Sequence, residues 1–356
     1  SSLSSLALDS QRISSIGDLG SLIEILPNLI DLSLVRNLFC DWSIVSDICK
    51  ALPAIQYLNL SNNRMRPIDA LNESANVFER LKTLVVVDTN LDFNELTKLQ
   101  PILVGLDQLI ASNNQIKDFP MNESSLLLPN LKTLDLDING ISNFKGLWLF
   151  LKGTSVSKLS LSGNQIATIG ELDNLPHLKS INLEENLLND VEFIWHLSSF
   201  KSLESVRFLR NPIFTKLKRD YLWLRTIAEN QNLTSINGSL INKHERKDAE
   251  IFYLRKAFDD FFTETKSNDF DYDFSAFLTY CSTKHKRVPH FIEIYGNPFE
   301  IVAKKMVKEV KLKTNNIKLI ISSETDLTKT FTKKFPSTAS ISMLKNVISK
   351  VWGVSK

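Results

Sequence analysis

Apolar residues recur through the first two thirds of the chain in one template, L-x-x-L-x-L-x-x-N-x-L. It reads "LIDLSLVRNLF" from Leu29, "IQYLNLSNNRM" from Ile55, "LKTLVVVDTNL" from Leu81 and "LDQLIASNNQI" from Leu106. "LKTLDLDINGI" follows from Leu131, "VSKLSLSGNQI" from Val156, "LKSINLEENLL" from Leu178 and "LESVRFLRNPI" from Leu203. "LSSLALDSQRI" from Leu3 is a degraded first copy. Successive copies begin 26, 26, 26, 25, 25, 25, 22 and 25 residues apart. Positions four and six are apolar and alternate with mostly polar positions three, five and seven, the period of a short strand buried on one side. The Asn at position nine enters a turn whose backbone groups lack ladder partners, and its amide supplies both a donor and an acceptor there. Thr89 in the fourth copy and Gln11 in the first replace that Asn, so a weaker ladder is expected at both.

A period of about 20–29 residues with this template predicts a leucine-rich-repeat solenoid of α/β class. The leucines stack inward, and positions three, five and seven face out on the concave side, the surface such arrays use for binding. Tyr57, Val85, Val87 and Ile110 are expected to form an apolar patch there, of the kind that anchors a protein partner. Asp135, Asp137 and Glu184 form an acidic stretch, followed by Arg207. Strand propensity alone also accounts for the two valines.

The template fails after "RNPIF" at Arg210–Phe214. Tyr221, Leu222, Leu224 and Ile227 then give a helical stripe, "LTSI" one more short strand, and "NKHERKDAEIFYLRKAFDDFF" a helix with Ile251, Leu254, Phe258 and Phe261 on one side. That side is expected to cap the open end of the array. Beyond Thr263 come a loop and short helical pieces, with His285 and His290 read as solvated. From Lys311, "IKLIISSE" and "LTKTFTKKFP" predict a hairpin. "STASISMLKNVISKVWGV" predicts a capped helix with Ile341, Leu344, Val347, Ile348 and Val351 inward. This β-β-α order resembles the first half of a β-grasp, ubiquitin-like domain, incomplete at Lys356. The expected organisation is thus 1–262 for the repeats with their helical cap, 263–310 for a linker with short helices, and 311–356 for the start of the ubiquitin-like domain.

Composition narrows the function. The net charge of +2 conceals a basic end, since Lys304 to Lys356 holds 12 Lys against 3 acids, leaving the rest of the chain at −7. Those lysines alternate with strand residues as on a solvated surface rather than gathering in one groove or stripe, which argues against a nucleic-acid groove. No run approaches the roughly 18 apolar residues of a membrane span. Three cysteines make no even framework and suit a reducing, cytoplasmic compartment. No phosphate-cradling glycine loop, nucleophile elbow or metal-ligand spacing occurs, so neither catalysis nor a cofactor is expected. A binding protein is the reading that remains.

"LIDLSLVRNLFCDWSIVSDICKALPAIQYLNLSNNRM" with its Trp42, "INKHERKDAEIFYLRKAF" with Glu245 and Arg246, and "FLTYCSTKHKRVPHFIEIYGNPFE" ending in Tyr-Gly-x-Pro resemble, in that order, segments of the tubulin-folding cofactor E family. The resemblance covers nearly the whole chain. It implies a non-enzymatic, cytoplasmic, cytoskeleton-associated cofactor that binds α-tubulin. Such a cofactor works with other tubulin-folding cofactors to assemble or dissociate the αβ-heterodimer. Family members usually begin with a CAP-Gly domain, and with no initiator Met the chain is expected to be a fragment lacking it. The alternative is a leucine-rich-repeat adaptor for another protein, such as a phosphatase regulator or a ribonucleoprotein component. A ubiquitin-related enzyme or substrate shuttle is a third class.

Overall fold

The computed structural model describes residues 3–17, 19–68, 75–121, 128–265, 274–300, 316–323, 330–336 and 339–352. Residues 266–273 of the expected linker, and 301–315 with the start of the expected ubiquitin-like segment, lie outside them. Each copy of the template contributes one three-residue strand. These are β1 (Ser5–Ala7), β2 (Asp31–Ser33), β3 (Tyr57–Asn59), β4 (Thr83–Val85) and β5 (Gln108–Ile110), then β6 (Thr133–Asp135), β7 (Lys158–Ser160), β8 (Ser180–Asn182) and β9 (Ser205–Arg207). They pair in parallel in chain order and in matched register. Asp31, Tyr57, Thr83, Gln108, Thr133 and Lys158 make one line across the sheet, and Ser33, Asn59, Val85, Ile110, Asp135 and Ser160 another. Between the lines, Leu32, Leu58, Leu84, Leu109, Leu134, Leu159, Ile181 and Val206 are at most 4% exposed and join one core. A slip of one residue would turn this whole line to water, and each leucine contributes roughly 2 kcal/mol by its burial.

The chain leaves each strand through a left-handed residue at position eight, from Arg36, Asn62, Asp88 and Asn113 to Ile138, Gly163, Glu185 and Arg210. The asparagine one residue later is buried and satisfied in both directions. Asn164 accepts from the Asn139 and Ile141 N–H groups on Oδ1 at 3.0 and 2.9 Å, and donates from Nδ2 to the Leu136 and Leu161 carbonyls at 2.9 and 3.0 Å. Asn63 and Asn114 do the same in their own repeats. Thr89 reaches less far. Its hydroxyl donates to the Val86 carbonyl at 3.0 Å, while Met65 N–H, whose counterparts Phe39 and Leu91 donate to an Asn oxygen, turns instead to the carbonyl of Asn63. The local weakening expected at Thr89 is therefore visible.

Short helices fill the returns: α1 (Leu19–Ile25), α2 (Ser43–Ala51), α3 (Phe93–Lys98), α4 (Gln100–Leu103), α5 (Phe144–Leu151), α6 (Glu192–Leu197), α7 (Ile213–Lys216) and α8 (Arg219–Glu229). Their apolar sides join the same core through Val45 and Ile48 of α2, and Leu147 and Phe150 of α5. Asp92 and Glu95 close a reciprocal capping box on α3. After α8, β10 (Ser235–Ile236) pairs in parallel with β9, and β11 (Ser239–Leu240) returns antiparallel on β10. Asn237 and Gly238 make that turn with φ of 51° and 85°, a two-residue hairpin that asks for left-handed residues.

The chain divides into two compact units, Ser1–Glu250 and Ile251–Lys356, with the boundary inside α9 (Lys243–Thr265). In the first unit, Asn242 caps α9: its Oδ1 accepts from the His244 and Glu245 N–H groups, and Glu245 reaches back to the Asn242 N–H, each at 2.9 Å. The Arg246 guanidinium donates to the carbonyls of Ile227, Asn230 and Leu233, between the end of α8 and β10. Burial pulls its pKa below the ordinary arginine value, opposed by Glu250.

In the second unit, Phe258 and Phe261 of α9 pack edge-on against Phe277 of α10 (Phe274–Lys284), and Phe258 against Phe299 as well. His285, expected in solvent, is 6% exposed, with Nδ1 3.0 Å from the Tyr253 hydroxyl, at the start of α11 (Val288–Tyr295). β12 (Asn316–Ser322) and β13 (Thr330–Pro336) form the expected antiparallel hairpin, and the expected helix, α12 (Ile341–Trp352), meets it where Trp352 stands edge-on to Phe331. Leu344, Val347 and Ile348 are half-buried. Ile341 and Val351, expected inward, are 73% and 50% exposed, since they lie at the two ends of the helix.

Candidate protein-binding face

The parallel register brings Tyr57, Val85 and Ile110 onto three adjacent strands, with Val85 directly beside Ile110 and Tyr57 one strand away on the diagonal. Tyr57 and Ile110 are half-buried. Val85 corrects its expectation: it is 6% exposed, hence buried. Strands about 4.8 Å apart let the longer side chains of Asn59 and Ile110 flank a short β-branched side chain between them. Val87 lies just past β4, half-buried, its N–H donating to Ser61 Oγ at 3.1 Å. The apolar patch open to a partner is therefore Tyr57, Val87 and Ile110.

The acidic stretch is real but partly engaged within the sheet. Asp135 Oδ1 accepts from Ser112 Oγ at 2.7 Å and from the Asp137 N–H at 2.9 Å. Asp137 Oδ1 in turn accepts from Ser160 Oγ at 2.7 Å and the Ser162 N–H at 2.6 Å. Burial pushes the Asp137 carboxyl above its ordinary pKa, and the charges of Asp135 and Glu184 add to this, against the hydrogen bonds from Ser160 and Ser162. Glu184 pairs with Arg210 at 3.1 Å, and the same guanidinium holds Glu185 at 2.6 Å. Arg207 is exposed on the last full strand. Arg210 escaped the sequence reading because it occupies position eight, a turn position. Its left-handed backbone swings the side chain back over the acids.

Small apolar contacts beside acid groups, on a rigid sheet, suit recognition of a protein surface. Among the described residues, no set of three or more His, Cys, Asp or Glu is placed to hold a metal ion. No described helix is long and apolar enough to cross a membrane.

Parallel one-strand repeats, stacked leucines and a buried asparagine turn define a leucine-rich-repeat protein, and the family model for leucine-rich repeats (two copies) matches residues 154–195. The chain is similar to tubulin-folding cofactor E of Arabidopsis thaliana, 29% identical over 268 residues, which is 71% of this chain and 50% of that protein. It is 27% identical over 256 residues to the human tubulin-specific chaperone cofactor E-like protein, covering 70% and 60%. Human tubulin-specific chaperone E is 26% identical over 361 residues, covering 99% and 67%. The chain is a relative of the tubulin-folding cofactor E proteins, as its sequence resemblance implied, and spans about half to two thirds of their length. Among solved structures, human trophoblast glycoprotein aligns over 66% of this chain and 85% of that one, at 17% identity and a TM-score of 0.45.

Proposed function

We propose that the chain acts as a non-enzymatic tubulin-folding cofactor. In this reading it binds α-tubulin and works in the cytoplasm with other tubulin-folding cofactors to assemble or dissociate the αβ-heterodimer. The observation that carries the proposal is the similarity to tubulin-specific chaperone E, which runs through the repeats and on to 99% of the chain. Tyr57, Val87 and Ile110 form the anchor, with Asp135, Asp137, Glu184 and Arg207 setting orientation by charge. Residues 1–262 are the repeats with their cap, 263–310 the connecting helices, and 311–356 the first part of a ubiquitin-like domain. The β12–β13 hairpin followed by α12 supports that last assignment. The excess of lysine from Lys304 onward favours approach to an acidic partner by long-range attraction.

Capture from cytosol on the immobilised chain tests the reading. Tubulin is the expected protein on the matrix. Recovery of a phosphatase or a ribonucleoprotein without tubulin replaces this proposal with the adaptor reading.

A further inference from the structure

We propose that a polar groove across the turns of the second to fifth repeats binds an extended peptide segment bearing carboxylates. The groove has a volume of about 700 Å³ and is lined entirely by position-eight to position-eleven residues, outside the strand face described above. That volume falls in the range of ligand-binding clefts, roughly 300–1,000 Å³.

Two observations fix what it would take. Arg36 and Arg64 line it, both exposed, and neither has an ion-pair partner among the described residues. Guanidinium groups hold carboxylates through paired, charge-assisted hydrogen bonds. The amides of Asn62, Asn90 and Asn113 also line it, and Gln115 Nε2 donates to Asn90 Oδ1 at 2.9 Å across two repeats. Carboxamides offer a donor and an acceptor together, the complement of a peptide main chain. Asp88, the one acid in the lining, supplies an acceptor for a peptide N–H.

A peptide carboxylate with its neighbouring main chain meets both, the carboxylate on the two guanidinium groups and the main chain on the carboxamides. This assignment is independent of what the strand face binds.

The test uses the full chain and two fluorescein-labelled peptides, Gly-Glu-Glu-Gly-Glu-Glu and its Gln-for-Glu counterpart, followed by anisotropy. The Glu peptide binds more tightly than the Gln peptide, and its affinity falls as salt rises. R36A/R64A weakens the Glu peptide about tenfold while leaving thermal unfolding unchanged. Equal affinity for both peptides, or full binding by R36A/R64A, overturns the proposal.

Discussion

Val85 and Val87 sit two positions apart on one strand line, yet the same substitution will separate them. Val85 is 6% exposed between Asn59 and Ile110, so Val85→Asp places an unpaired charge in a packed row. A loss of about 3 kcal/mol or more in urea unfolding is expected. Val87 is half-buried beyond the strand, and Val87→Asp should leave stability within about 0.5 kcal/mol. The alternating pattern made both valines equally exposed; what it lacked was the size of the side chains on neighbouring strands. Ile138 is a second case. It is a β-branched residue with φ of 55° and 58% exposure, a conformation costing about 1–2 kcal/mol. Ile138→Asn should recover about 1 kcal/mol in the same measurement. Asp137 adds a pH signature. Its carboxyl is raised in the folded chain, so the unfolded chain gives up that proton first as pH rises. Its contribution is present below the unfolded pKa and is lost as pH rises through the folded one. Stability relative to Asp137→Asn should therefore decline as pH rises from the ordinary aspartate range through the raised value of the folded chain.

Each repeat is held to the next by the asparagine at its turn, and the template announced this in every copy that carries it. Asn164→Ala strands two buried N–H groups and two carbonyls at once. A loss of about 3 kcal/mol or more is expected by chemical denaturation, because unmet buried groups cost about 1–3 kcal/mol each. The weak points were legible too: threonine in place of asparagine is too short to reach the previous turn. Less legible was the closing of the last repeat. Within the first unit Arg246 contributes to it, gathering three carbonyls between the end of α8 and β10. Charge on a helix reads as solvated in sequence, and only the third dimension supplies acceptors for a guanidinium. The aromatic residues further along α9 were visible as a stripe, but a stripe does not name its partner, and here it is the helix that follows.

A solenoid is a sum of neighbours, so its binding energy should collect on a few adjacent repeats while the remainder provides rigidity. Tyr57, Val87 and Ile110 belong to three consecutive repeats, and the acids follow on the next ones. The expectation that the array binds a protein came from its outward-facing positions. The proposal of which protein came from the order of segments around and after the repeats, because stacked leucines are indifferent to the partner. The most direct test combines both. Gel filtration of the chain with purified tubulin at low salt should yield a complex. Tyr57→Ala with Val87→Asp should abolish that complex while the variant keeps the unfolding curve of the parent chain. Failure of the parent chain to bind tubulin, or an undiminished complex with the folded double variant, would contradict the account.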